Sequence, residues 1–71
     1  MLYNMKYFEE NKKIIFEKGY DAAYDLDNHR IGVQQCDRSH YVCVFVDGEI
    51  VATRTKRSSA IRLAIEYLNK Q

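Results

Sequence analysis

A chain of 71 residues with 46% apolar content has interior for one small core, which excludes a second domain and makes residues 1–71 a single unit. Eleven Lys and Arg against ten Asp and Glu give a formal charge of +1, short of the positive excess on which phosphate-gripping domains depend. Charged residues interrupt every window of membrane-spanning length, no charged start followed by an apolar run marks a leader, and two cysteines are too few for a secreted disulfide framework; these features predict a cytoplasmic protein in a reducing compartment with no membrane contact.

Tyr3, Met5, Tyr7, Phe8, Ile14, Ile15 and Phe16 recur at helical spacing, with Lys6, Glu9, Glu10, Lys13 and Glu17 on the other arc, which predicts an amphipathic helix over residues 3–18. Lys18 followed by Gly19 fits a cation in the last turn and a left-handed cap. Residues 20–30 carry Asp21, Asp25, Asp27 and Asn28, turn formers that compete for backbone hydrogen bonds, and are expected to be mostly loop. From Ile31 the period becomes two, and residues 31–36, 40–46 and 49–55 read as three strands rich in β-branched and aromatic side chains. Asp47-Gly48 between the last two is a two-residue type I′ hairpin signal.

That turn sets a register. With Val46 opposite Glu49, Phe45 faces Ile50, Cys43 faces Ala52 and Tyr41 faces Arg54 on one side, and Val44 faces Val51 and Val42 faces Thr53 on the other. A three-residue turn at Asp37-Arg38-Ser39 adds Ile31 and Val33 to the Phe45 side and leaves Gly32, Gln34, Cys36 and His40 beside the valines. The Phe45 side is therefore the expected core. Ala60, Ile61, Ala64, Ile65 and Leu68 then form an i, i+3/i+4 stripe, predicting a helix over residues 58–69 capped by Thr55, Ser58 or Ser59. The expected fold is α+β in the order αβββα, a three-stranded antiparallel sheet packed with two helices.

Little in the chain resembles reaction chemistry. His29, Cys36, His40 and Cys43 are the inventory of a zinc site, but the close Cys pair is missing and the expected register sends Cys36 and Cys43 to opposite faces. Asp25, Asp27 and Asn28 lack the glycine and closing glutamate of a calcium loop. No nucleophile elbow, phosphate-cradling glycine loop or HExxH helix is present. No metal, no cofactor and no enzymatic activity are expected. Two features suit recognition instead. Arg54, Lys56, Arg57 and Arg62 cluster where a strand hands over to a helix N-terminus, a place that favours anions. Val42, Val44, Val46 and Val51 form an exposed apolar stripe if both helices pack on the Phe45 side, and simply core if one helix lies on each face.

The segment from Val46-Asp47-Gly48 through Thr53, followed by Ser58-Ser59-Ala60-Ile61-Arg62-Leu63-Ala64, resembles the small phage proteins grouped as the phage α-β-α sandwich domain. The resemblance implies a phage or prophage accessory protein, a class that includes inhibitors of host defence acting by protein contact. His40, the Asp47-Gly48 hairpin and Ala60 are similar in placement to double-stranded-RNA-binding domains, although Arg57 followed by Ser58 and Ser59 stands where that family has adjacent lysines. Gly32-Val33, Tyr41, the hairpin and Ala60 to Ala64 also resemble integrase-type three-stranded DNA readers, with valines where outward Arg and Trp are needed. The resulting expectation is an anti-CRISPR-like inhibitor that contacts a protein or ribonucleoprotein complex in the host cytoplasm through Val42, Val44 and Val51 or through Arg54, Lys56, Arg57 and Arg62. The rival is a duplex-RNA or DNA module using Lys56, Arg57 and Arg62, and a further reading is a homodimeric structural subunit.

Overall fold

In the computed structural model, which describes residues 2–36 and 40–71, the first helix, α1 (Met5–Asn11), ends well short of Lys18. Asn4 caps it by accepting the Tyr7 N–H at 2.8 Å, and Lys12 leaves it in extended conformation with φ −64° and ψ 147°. The next residues form strand β1 (Lys13–Ile15). Ile14, Ile15 and Phe16 are consecutive, so on a helix they spread over more than half the circumference and no single face can bury them. In a strand their branched side chains find favourable rotamers and their backbone pairs with a neighbour.

Residues expected to be loop supply β2 (Ala22–Leu26) and the start of β3 (His29–Gln35). The acidic turn formers are the connectors: Asp27 and Asn28 have φ of 51° and 68°, a second two-residue hairpin turn like Asp47-Gly48 at 51° and 88°. Asp25 Oδ1 steadies it by accepting the Asn28 N–H at 3.2 Å. Gly19 does adopt left-handed backbone, φ +101°, but in the turn between β1 and β2. With β4 (Val42–Val46) and β5 (Glu49–Arg54), the sheet is a five-stranded antiparallel meander in the order β1-β2-β3-β4-β5, followed by α2 (Arg57–Asn69). The α+β class is as expected, with two more strands than expected. Lys56 holds the N-cap position of α2 without a side-chain capping bond, so Thr55, Ser58 and Ser59 do not.

The expected turn at Asp37-Arg38-Ser39 lies outside the described residues. The pairs bordering it place Gln35 opposite Val42, with the Cys36 N–H donating to Tyr41 O at 2.9 Å, so Cys36 stands across from Tyr41 rather than His40. That one-residue difference turns β3 over relative to the expected arrangement: Ile31 pairs with Val46 and Val33 with Val44, while Gly32 pairs with Phe45. On the other side of β4 the hairpin starts as expected, Val46 with Glu49 and Phe45 with Ile50, and a bulge then sets Val44 opposite Ala52, Cys43 opposite Thr53 and Val42 opposite Arg54. Val51 is the extra residue, and it and Ala52 both pack against the core.

The core consequently lies on the valine side. Leu26, Ile31, Val33, Val44 and Val46 are each at most 1% exposed, and α2 covers them with Ala60, Ile61, Ala64, Ile65 and Leu68. Ala60 and Ala64 are fully buried, and their small side chains let the helix backbone approach the sheet. α1 adds Phe8, 1% exposed, with its ring 5.3 Å edge-on from Tyr24. Each of these large side chains contributes about 1.5–3 kcal/mol by leaving water. The Asn69 amide clamps the N-terminal segment, accepting the Tyr3 N–H and donating to Tyr3 O, both at 2.7 Å. No helix among the described residues is long and apolar enough to cross a membrane.

Candidate interaction surface

Both helices occupy one side of the sheet, so the expected roles of the two faces are exchanged. Val44 is fully buried, and Val42 and Val51 are half-buried against the same cluster. The exposed valine stripe is corrected to core. Arg54, Lys56, Arg57 and Arg62 are all exposed, and Arg54 and Arg62 face different grooves. Arg54, whose Nη1 donates to Thr53 O at 2.6 Å, lines a cleft between β5 and α2 with Val51, Leu63 and Tyr67. Arg62 lines a groove on the other flank of α2 with Tyr3, Met5 and Ile65.

The face turned away from the helices carries Ala23, Gly32, Cys43, Phe45 and Ile50 by alternation. Tyr20, from the turn before β2, lies across it: a Cβ built on Gly32 would come within 2.6 Å of the Tyr20 ring. The ring is 5.3 Å from that of Phe45, tilted 46°. Only glycine allows this contact, because any side chain on β3 at that point occupies the space of the ring. Ala23 is sealed beneath at 2% exposure, while Ile50 keeps 57% and Tyr41 50% of their surface exposed. The open face thus has a small packed apolar centre, set among Lys13, Asp25, Arg30, Gln34 and Thr53 of the same face.

Cys36 and Cys43 meet on this face as a disulfide with Cα atoms 6.0 Å apart, a separation suited to the bond. They were expected on opposite faces as unpaired thiols; the reversal of β3 brings them together. With both sulfurs committed to each other and His29 bonded to Asp47, the four zinc-type residues do not assemble. Among the described residues no group of three or more His, Cys, Asp or Glu is arranged to hold a metal.

The acidic residues are occupied in tying strands together. Asp47 Oδ2 lies 3.0 Å from His29 Nδ1, its Oδ1 accepts the Arg30 N–H at 2.9 Å, and its own N–H donates to Arg30 O at 2.8 Å. Burial pushes the Asp47 carboxyl up, but the hydrogen bonds from His29 and the Arg30 N–H, with the charges of the same two residues, outweigh it and hold the group below its usual range. Asp27 accepts the Tyr7 hydroxyl at 2.7 Å, and this bond, followed by desolvation and the carboxylate's charge, raises the Tyr7 pKa. Desolvation, then the same carboxylate, raises that of Tyr3. Asp21 accepts the Gln35 N–H at 2.7 Å, and Glu17 pairs with Arg30.

Residue-by-residue reading missed the Tyr20, Gly32 and Phe45 contact. The available signal was a lone glycine inside an alternating strand, which marks the close approach of another group. Compared with protein-family models, curated proteins and solved structures, the chain matches none.

Proposed function

We propose that this chain is a non-enzymatic binding protein that engages a protein partner through the open face of its sheet. The observation that carries the reading is the one-sided covering: with both helices on the valine side, Ile50 at 57% and Tyr41 at 50% exposure flank the Tyr20–Phe45 pair on a face that no helix among the described residues covers. Aromatic side chains in a desolvated patch are the usual anchors of protein interfaces, since they bury much area for little conformational entropy. The edges of the sheet are less suited to taking up a partner strand on the β5 side, because the bulge at Val51 breaks the regular ladder there. In its sharpest form the reading is the phage-type, anti-CRISPR-like inhibitor of a host complex that the resemblance over residues 46–64 implies.

The test is a photo-crosslinking amino acid placed at position 50 and, as a control, at position 58 on the helix side. A host protein captured from position 50 alone, whose binding to purified chain is lost in Ile50→Glu without change in the circular dichroism, supports the reading. Equal capture from both positions, or unchanged affinity of Ile50→Glu, removes it. The rival duplex-binding reading rests on the exposure of Arg54, Lys56, Arg57 and Arg62. Duplex RNA or DNA binding that falls steeply with salt and disappears in Arg57→Ala with Arg62→Ala would put it first.

A further inference from the structure

Strand β1 is an edge strand with three residues, Lys13–Ile15, and among the described residues pairs only with β2. Ile14 is 79% exposed and Phe16, immediately after the strand, 83%. These are the two most exposed large apolar side chains among the described residues, and extending the strand by one residue to Phe16 sets them on the same side. An uncovered apolar edge is a template for another strand unless it is blunted by charge, proline or a bulge. At the far side of the sheet β5 has its bulge; β1 is short and carries Lys13, which the pairing below uses, but has neither proline nor bulge.

We infer that β1 pairs antiparallel with β1 of a second copy of this chain, centred on Ile15, to give a two-fold dimer with a continuous ten-stranded sheet. The sequence Lys13-Ile14-Ile15-Phe16-Glu17 is complementary to its own reverse. A two-fold axis normal to the sheet must pass between a residue and its own copy. With the axis at Ile15, Ile14 faces Phe16 of the second copy twice over, closing a four-residue apolar cluster on the helix side. On the other side Lys13 faces Glu17 of the second copy, also twice, joining the pair that Glu17 makes with Arg30 of its own chain. An axis at Ile14 sets Lys13 against Ile15 and Lys12 against Phe16. An axis at Phe16 sets Glu17 against Ile15 and Lys18 against Ile14. Charge complementarity and apolar matching therefore select one register. Lys12 is no obstacle, because its Nζ is turned back to Glu9 at 3.1 Å and over the Phe8 and Tyr24 rings. The pairing uses the β1 edge and leaves the open face available, so it stands independently of the proposed partner contact.

So short a strand buries a small interface, which places the dimer in the weak, concentration-dependent class. Sedimentation equilibrium of the full chain from about 10 to 500 µM covers that class. The expected result is monomer–dimer exchange, with Phe16→Lys raising the dissociation constant by about thirtyfold or more. Lys13→Glu weakens the dimer as well, and adding Glu17→Lys restores it by exchanging the two charges. In oxidising buffer Ile15→Cys forms a covalent dimer and Ile14→Cys does not, because only residue 15 faces its own copy. Circular dichroism checks that each variant is folded. Monomer throughout the range overturns the inference, as does a dimer indifferent to Phe16→Lys or one crosslinked equally from position 14. Loss of partner capture at position 50 bears only on the proposed function.

Discussion

On one side of the sheet Val44 is fully buried beneath α2, while on the other Ile50, on the adjoining strand, keeps 57% of its surface in water. Both faces hold large apolar side chains, but the covered one is a block of valines, isoleucine and leucine, whereas on the open one tyrosine, phenylalanine, isoleucine and a disulfide stand among Lys13, Asp25, Arg30, Gln34 and Thr53. Hydrophobicity favours covering the valine side, and connectivity puts both helices there. α1 reaches β1 across Lys12 alone, and α2 follows β5 after two residues; both helices fold back over the same side and share a contact. The open face then has to hold its own aromatic layer without a helical cover, which Tyr20 does by lying across Gly32.

The sharpest way to break this contrast is to put the same charge on each face in turn. Val44→Asp places a carboxylate in the core with no partner and is expected to cost more than about 4 kcal/mol, most of what a chain this size possesses. It should be unfolded by circular dichroism at room temperature. Phe45→Asp, one residue on, should lose only about 1–2 kcal/mol and stay folded. Equal damage from both would mean that the Phe45 side is itself core. Next in size is the disulfide on the open face. Opening it with reductant, or replacing both cysteines with serine, is expected to cost about 2 kcal/mol through the freed loop. Amides beneath α2 should keep their relative order of hydrogen-exchange protection. Scrambled protection would mean that the bond holds both faces together.

A smaller effect sharpens the picture of the open face. Gly32→Ala drives a methyl group into the Tyr20 ring, 2.6 Å from where the Cβ would sit, and is expected to cost about 1–2 kcal/mol as the ring is displaced. In the Tyr20→Ala background the same change should be nearly neutral or favourable. This non-additivity in urea unfolding is the signature of direct contact. Additive costs would show that Gly32 is required for its backbone alone.

What the sequence made legible follows the range of the interactions involved. α2 and the Asp47-Gly48 hairpin were readable because apolar spacing and one dipeptide suffice to specify them. The same chemistry is present at Asp27-Asn28, but flanked by Tyr24, Asp25, His29 and Arg30 in place of an apolar alternation it reads as loop. β1 was hidden in a helical pattern, since Ile14 and Ile15 fit a wheel as a continuation of Tyr7 and Phe8 and only pairing with Ala23 and Tyr24 makes them a strand. The identity of the covered face depended on the parity of the β3–β4 connection. Pairing Gln35 with Val42, one residue away from the expected register, sets Ile31 and Val33 beneath the helices and Phe45, Cys36 and Cys43 on the other side. For the interaction surface, the exposure of Arg54, Lys56, Arg57 and Arg62 could be foreseen from their charge. The open face could not, because it is defined by where α1 and α2 do not go.

The two hairpin turns at the Asp47 end of the sheet offer the finest test, one of charge against backbone shape. Asp47 has both assets: φ of 51°, which a turn of this type needs, and a carboxylate bonded to His29 and to the Arg30 N–H across the sheet. Because its folded pKa lies below the ordinary value, the charge contributes stability that is complete above the unfolded-state pKa and is lost as pH falls through the folded one, below about pH 4. Asn accepts the left-handed conformation as readily as Asp, so Asp47→Asn keeps the turn and removes only the charge. Urea unfolding at about pH 7 should find the variant less stable by about 1 kcal/mol, and the gap should close as pH drops toward about 2. A gap that persists unchanged at low pH would assign the effect to turn geometry and leave the carboxylate no part in holding β3 against the β4–β5 hairpin.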